Sequence, residues 1–380
     1  MQSPYMNSRF EDIRPYNDSE VPLAIKRLAN NEYFPIIIKT LFPEKEIESY
    51  KKEILQIQTI KQFQADFMYP IINKIVDYSI KELTYSGIKE LYLDNRRNMF
   101  ISNHRDITLD SALLNIKLHQ NQLDTCEITF GSNLMKGEIV IDIGKMNKMF
   151  RIIRGGNIRD FYKNSMDVSS YMRYAIQEKK QSVWIAQRNG RTKNGDDKTE
   201  MAVLKMFSLS SQKPFVDNLL ELNITPISIS YQYEPCDFLK TAELYVSSYQ
   251  KYEKAPNEDL NSILTGIQQY KGKVHFAVTE PITKAELEYC DSFEKNEKFL
   301  QLAKIIDKRI YKNYQLFNTN YIAHDLLNKS YRYEAFYNPK EKAEFQDYMH
   351  QGLKEIEGEY LELENIFLKI YANPVDNIHK

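Results

Sequence analysis

Asn103-His104-Arg105-Asp106-Ile107-Thr108-Leu109-Asp110 follows directly on the apolar run Met99-Phe100-Ile101-Ser102. This order predicts a histidine where a strand ends and, at Asp110, a carboxylate in the first turns of a helix. A helix N-terminus there offers free N–H groups and a dipole that favours negative charge. A histidine titrating near neutrality and held by a carboxylate can take the proton from an alcohol. Acyl transfer to a hydroxyl is the chemistry to expect, with His104 as the base. Asp106 suits the N-cap of the helix, because Asp is favoured there. Asp110, a turn further on, can point back at the ring, and geometry favours it as the partner.

An anionic substrate would need positive charge, and the chain supplies it in two places. Lys145, Lys148, Arg151, Arg154, Arg159 and Lys163 fall in one stretch opposed by Asp160 alone, and Arg188, Arg191 and Lys193 form a second group. The planar guanidinium fork suits phosphate, so the arginines are the stronger candidates and Lys145 and Lys148 read as surface. Gly155-Gly156 and Gly190 would let backbone approach a ligand closely. The remaining histidines, among them His119, His275 and His324, have no partner pattern and read as structural. No G-x-S-x-G elbow is present, which argues against a serine hydrolase. No further His or Asp stands at metal-ligand spacing, so no metal is expected.

The elements that must position these residues follow from periodicity. Residues 1–88 read as a helical N-terminal region, with stripes at Ile60, Phe63 and Phe67 and at Ile72, Ile75, Val76 and Ile80, a break or kink at Pro70 and a stop at Gly87. Residues 89–285 alternate short apolar strands (Asn98–Ser102, Cys126–Phe130, Ser182–Gln187, Thr225–Tyr231, Lys273–Thr279) with helices (Leu109–Leu118, Val168–Glu178, Met201–Phe207). That alternation predicts an α/β fold with a mixed, largely parallel sheet flanked by helices. Residues 286–380 return to helical spacing and read as a helical C-terminal cap. Functional residues in such folds gather beyond the strand C-termini, where His104 and Arg188 fall. Pro226 reads as a strand-edge or bulge device.

Bulk composition excludes several classes. The 380 residues carry 51 Lys and Arg against 52 Asp and Glu, so the chain as a whole is not a nucleic-acid binder. Its 27 Tyr and 19 Phe point to an aromatic-rich core. Cys126, Cys236 and Cys290 show no paired spacing, which suits a reducing cytoplasm. The N-terminal residues lack the apolar core of a secretory leader. Runs such as Phe34-Pro35-Ile36-Ile37-Ile38 fall far short of the roughly 20 residues needed to span a bilayer.

Four short blocks in order resemble the glycerolipid acyltransferases, the family of glycerol-3-phosphate and 1-acyl-sn-glycerol-3-phosphate acyltransferases. Asn103, His104 and Asp110 answer the family's N-H-x(4)-D with one extra residue. Gly144–Gly156 answers its glycine-and-basic block around a phenylalanine, here Phe150. Trp184-Ile185-Ala186-Gln187-Arg188-Asn189-Gly190-Arg191-Thr192 answers a strand running into E-G-x-R-S, with Asn189 where the family usually has Glu. Ile224–Tyr231 answers a short strand carrying a proline.

The resemblance covers roughly residues 90–285. It implies transfer of a fatty acyl group from an acyl-carrier-protein or coenzyme A thioester, the co-substrate, to glycerol 3-phosphate or a lysophospholipid, with no other cofactor. It also implies a peripheral enzyme at the cytoplasmic face of the membrane, with His104 and Asp110 catalytic. Asn103, Arg105, Arg151, Arg154, Arg188, Gly190 and Arg191 would bind substrate. The longer His–Asp spacing also admits an amine or amino-acid-lipid acceptor. Asn189 admits an inactive protein that binds lipid or an acyl carrier.

Overall fold

The computed structural model describes residues 9–89, 91, 97–135, 137–153 and 157–380. Seven strands form one mixed sheet: β1 (Ile80–Ser86), β2 (Met99–Ser102), β3 (Glu127–Gly131), β4 (Met149–Ile152), β5 (Val183–Ala186), β6 (Ile224–Tyr231) and β7 (Gly272–Val278). Their order is β1-β7-β6-β2-β5-β3-β4. The ladders joining β6, β2, β5, β3 and β4 are all parallel, whereas β7 runs antiparallel to β6 and carries β1 parallel to itself. The C-termini of β2 to β6 therefore share one edge. β2 lies centrally, between β5 and β6, so whatever follows it meets loops from both sides.

The central strands are apolar throughout because both faces are covered. Every residue of β2 and of β6 is buried. Phe100, Trp184, Ile227 and Ile229 pack on one face against Val21, Ile25, Phe63 and Phe67 from the N-terminal helices. Met99, Ile101 and Ile185 pack on the other against Tyr171, Leu204, Ile306 and Ile310. The helical regions at the two ends of the chain thus each cover a face of the sheet. A satellite cluster joins Ile322, Phe345, Phe367 and Tyr371 among the C-terminal helices.

The helices that bear on the site are α1 (Leu109–Gln120), α2 (Ile158–Gln177), α3 (Asp237–Tyr249), α4 (Glu258–Gln268), α5 (Glu297–Lys312) and α6 (Tyr360–Asn377). α1 carries little amphipathic contrast because the sheet and the N-terminal helices enclose it. Leu109, Asp110, Leu113, Leu114 and Leu118 are all buried.

Three elements depart from the periodicity. Ile80–Ser86, expected as the end of a helix, is the edge strand β1, and the chain turns at Gly87 with φ +72°. Its partner β7 is far away in sequence, so local spacing could not reveal the pairing. Met149–Ile152 forms edge strand β4 inside the glycine-and-basic block. Pro226 sits in an interior strand, opposite Ile101 of β2, and not at an edge or bulge. Only its carbonyl is used towards β7, accepting from the Thr279 N–H at 3.1 Å and Oγ1 at 2.8 Å. Pro70, by contrast, stands at the start of Tyr69–Ser79 just after a π-helical turn over Phe63–Met68, where the regular ladder is already interrupted.

Candidate active site

β2 ends at Ser102 and hands the chain to His104 at the shared edge. The N-cap position expected of Asp106 falls to Thr108; Asp106, two residues earlier, braces the helix start, its Oδ1 accepting from the N–H groups of Thr108 (2.8 Å) and Leu109 (2.7 Å). The first turn of α1 then brings Asp110 back under the ring. His104 Nδ1 lies 2.9 Å from Asp110 Oδ2. The same oxygen accepts from the backbone N–H of Arg105 at 2.7 Å and of Asp106 at 3.0 Å, and Oδ1 accepts from the Tyr231 hydroxyl at 2.8 Å. Burial, followed by the charge of Asp110, holds the Tyr231 phenol well above its ordinary range, so it stays a donor.

A carboxylate occupied by donors can only accept from the ring. Neutral His104 therefore keeps its proton on Nδ1 and presents the Nε2 lone pair. Trp184 of β5 meets the ring edge-on, with centroids 5.7 Å apart, and is itself fixed by an Nε1–H bond to Ser102 Oγ at 3.1 Å.

His104 lines a cleft of about 320 Å³ at the strand C-termini. Its wall carries apolar side chains, Ile128, Phe130, Leu134, Ile152 and Trp184, and charged ones, Arg188, Arg191, Lys193 and Lys254, the two lysines being paired with Glu243 and Asp259. β5 pairs with β2 at Ser102↔Ala186, so the loop that follows β5 must run alongside the histidine. The N–H of Thr192 donates to His104 O at 2.7 Å and locks the two together. Gly190, at φ +78° with open space around it, makes the turn. Within this wall the Arg188 Nε and Arg191 Nη1 atoms are buried without a hydrogen-bond partner. Burial, reinforced by the nearby Lys254 and Arg191 charges, pulls the Lys193 ammonium down to about 8.

The candidates named from the sequence thus divide. His104, Arg188, Gly190 and Arg191 line the cleft, and Asp110 stands directly behind the histidine. Asn103 and Arg105 do not reach the cleft. Asn103 is enclosed, donating to Asp197 Oδ2 (3.0 Å) and Ile229 O (2.9 Å). Arg105 is 4% exposed and spends its fork on Asp197 (2.6 Å) and Glu234 (3.0 Å). They hold the turn from beneath.

Arg151 also misses the cleft. The cleft takes Ile152 from β4 but not Arg151, although Arg151 pairs with the cleft residue Phe130 in the sheet. Arg154 and Gly155-Gly156 lie outside the described residues. Among the described residues no cluster of His, Cys, Asp or Glu could hold a metal ion, and the three cysteines are buried thiols.

Several participants escaped the sequence reading. Glu200 brings a carboxylate to the position left neutral by Asn189: Oε2 accepts the Asn189 N–H at 3.1 Å, and Oε1 lies 3.9 Å from Arg188 Nη2. Asp197 gathers donors from Asn103, Arg105 and the Tyr314 hydroxyl, the last at 2.6 Å. Lys254 and Asp259 reach the cleft from around α4. None shares a motif with its partners, and no spacing could have linked them.

No family model matches the chain, and no curated protein matches it. Among solved structures it aligns with the 1-acyl-sn-glycerophosphate (LPA) acyltransferase PlsC of Thermotoga maritima, at 12% identity and a TM-score of 0.35 over 76% of this chain and 91% of that one.

Proposed function

We propose that this chain is an acyltransferase that moves a fatty acyl group from a coenzyme A or acyl-carrier-protein thioester to the hydroxyl of glycerol 3-phosphate or a lysophospholipid. One observation carries the reading. A histidine with Nδ1 fixed by a fully engaged carboxylate lines a cleft that carries both apolar and cationic side chains. The apolar side chains suit an acyl chain, and Arg188 and Arg191 suit a phosphate.

In the reaction His104 Nε2 takes the hydroxyl proton as the oxygen attacks the thioester carbonyl. The tetrahedral intermediate collapses with cleavage of the C–S bond, and the thiolate leaves with the proton returned by His104. Asp110 stabilises the imidazolium between the two steps. The thioester is already activated, so no protein nucleophile is required.

Peripheral attachment at the cytoplasmic membrane face belongs to the same proposal. It draws on the lipid nature of the acceptor, and no helix among the described residues is long and apolar enough to cross a membrane. A second reading, an acceptor bearing an amine, rests on the longer spacing between His104 and Asp110.

The test is transfer from a radiolabelled acyl thioester to glycerol 3-phosphate, its 1-acyl derivative and an amine panel, with wild type beside His104→Ala. Turnover lost in the variant supports the reading. Equal turnover in both proteins, or none with any acceptor, overturns it.

A further inference from the structure

We propose that α6, the C-terminal helix, is a positioning clamp that fixes the cationic loop of the cleft. This rests on the reading of that loop as the acceptor-binding wall. The loop from Arg188 to Thr199 has no regular structure of its own, so its shape must be imposed from outside.

One face of α6 supplies the constraint. Ile370, Asn373 and Asn377 recur at i, i+3 and i+7 and so share a side of the helix. Asn373 Nδ2 donates to Asn194 O at 2.7 Å and Asn377 Nδ2 to Gly195 O at 3.4 Å. Lys380, just past the helix, reaches Asp196 Oδ1 at 2.9 Å.

The third member of the face works through its backbone. Pro374 lies inside α6, and a proline there cannot donate to the carbonyl four residues earlier, which belongs to Ile370. Gly195 occupies the freed position at φ +75°, and a Cβ added to it would lie 2.1 Å from Ile370 O. Only a glycine lets the loop backbone approach this closely, and the Cα–H then meets the carbonyl that Pro374 cannot serve.

From the opposite side, Asp197 ties the same loop to the histidine turn through Asn103 and Arg105. Asn194, which is clamped, and Arg191 and Lys193, which precede it, all line the cleft. The register of the helix therefore sets where the cations stand relative to His104.

The full-length protein with Asn373→Ala, and separately Gly195→Ala, tests the clamp by two readouts. Amide hydrogen exchange across residues 188–199 should quicken about three- to tenfold in Asn373→Ala, the worth of one hydrogen bond, with its melting transition retained. The KM for glycerol 3-phosphate should rise by a similar factor, while kcat and the thioester KM stay within about twofold of wild type. Gly195→Ala should act in the same direction and more strongly. Unchanged exchange in both variants overturns the clamp whatever the activity shows. A joint fall of kcat and of affinity for both substrates also overturns it, because that marks general loosening. If wild type acylates no acceptor while the segment responds as described, the acceptor reading falls and the clamp stands.

Discussion

Tyr231, the last residue of β6, donates its hydroxyl to Asp110 Oδ1 at 2.8 Å, so the carboxylate that holds His104 is itself held from a strand 121 residues away. Both groups are buried. Removing the hydroxyl would leave one buried carboxylate oxygen without that donor.

Tyr231→Phe is therefore expected to lower stability by about 1–3 kcal/mol, the cost of an unsatisfied buried group. Acyl transfer should fall in kcat with the acceptor KM unchanged, since the variant loosens the base and leaves the cationic wall intact. Denaturant titration and steady-state kinetics check both. A variant with wild-type stability would show that the bond contributes nothing.

Arg191 has an unpartnered, buried guanidinium nitrogen in the cleft wall. If it meets a phosphate, Arg191→Ala should cost about 1.5–3 kcal/mol of acceptor binding, or roughly ten- to a hundredfold in KM. The thioester KM should barely move. An equal loss with an acceptor that lacks phosphate would count against this role.

Asp197 receives Arg105, Asn103 and Tyr314 in an interior where the arginine and both its acid partners are almost wholly enclosed. Asp197→Ala strands half of a buried guanidinium fork, and about 3–5 kcal/mol of stability should be lost. Exchanging Arg105 and Asp197 together for apolar residues of similar volume should be milder than the single change, because Glu234 then keeps its bond to the buried Lys240 at 2.5 Å. Unfolding midpoints of the two proteins decide the matter.

Burial lifts the Asp307 carboxyl to about 6. The folded protein then binds that proton more tightly than the unfolded chain, whose carboxyl titrates near 4. The associated stability is present at low pH and is lost as pH rises through about 6. The amide oxygen of Asp307→Asn can still accept from Thr199 N–H and Oγ1, now at 2.8 and 2.6 Å. Asp307→Asn should therefore raise the melting temperature at pH 7.5, by an amount equivalent to about 1–3 kcal/mol, and by about a third of that at pH 4.5. Equal shifts at both values would rule out the carboxyl as the cause.

The sequence by itself determined the α/β class, the central strands and the pairing of His104 with Asp110. Each of these is local: apolar runs bounded by polar turns, and a carboxylate in the first turn of the helix that follows the histidine. Arg188, Gly190 and Arg191 were also legible, because they follow a strand whose apolar run ends abruptly.

Tertiary structure decided the rest. β1 became a strand because β7 offered its edge, an event that helical spacing at Ile72, Ile75 and Ile80 could not foretell. Arg105 and Asn103 carry the chemistry of ligand binders, yet Asp197, Glu234 and Ile229 consume their hydrogen bonds. Arg151 was lost to the cleft as well, which takes only Ile152 from β4. A side chain's type states which bonds it can make. Whether they are made to a ligand or to the protein depends on which distant acids and carbonyls the fold brings within reach, because a buried polar group must be satisfied by whatever stands nearest.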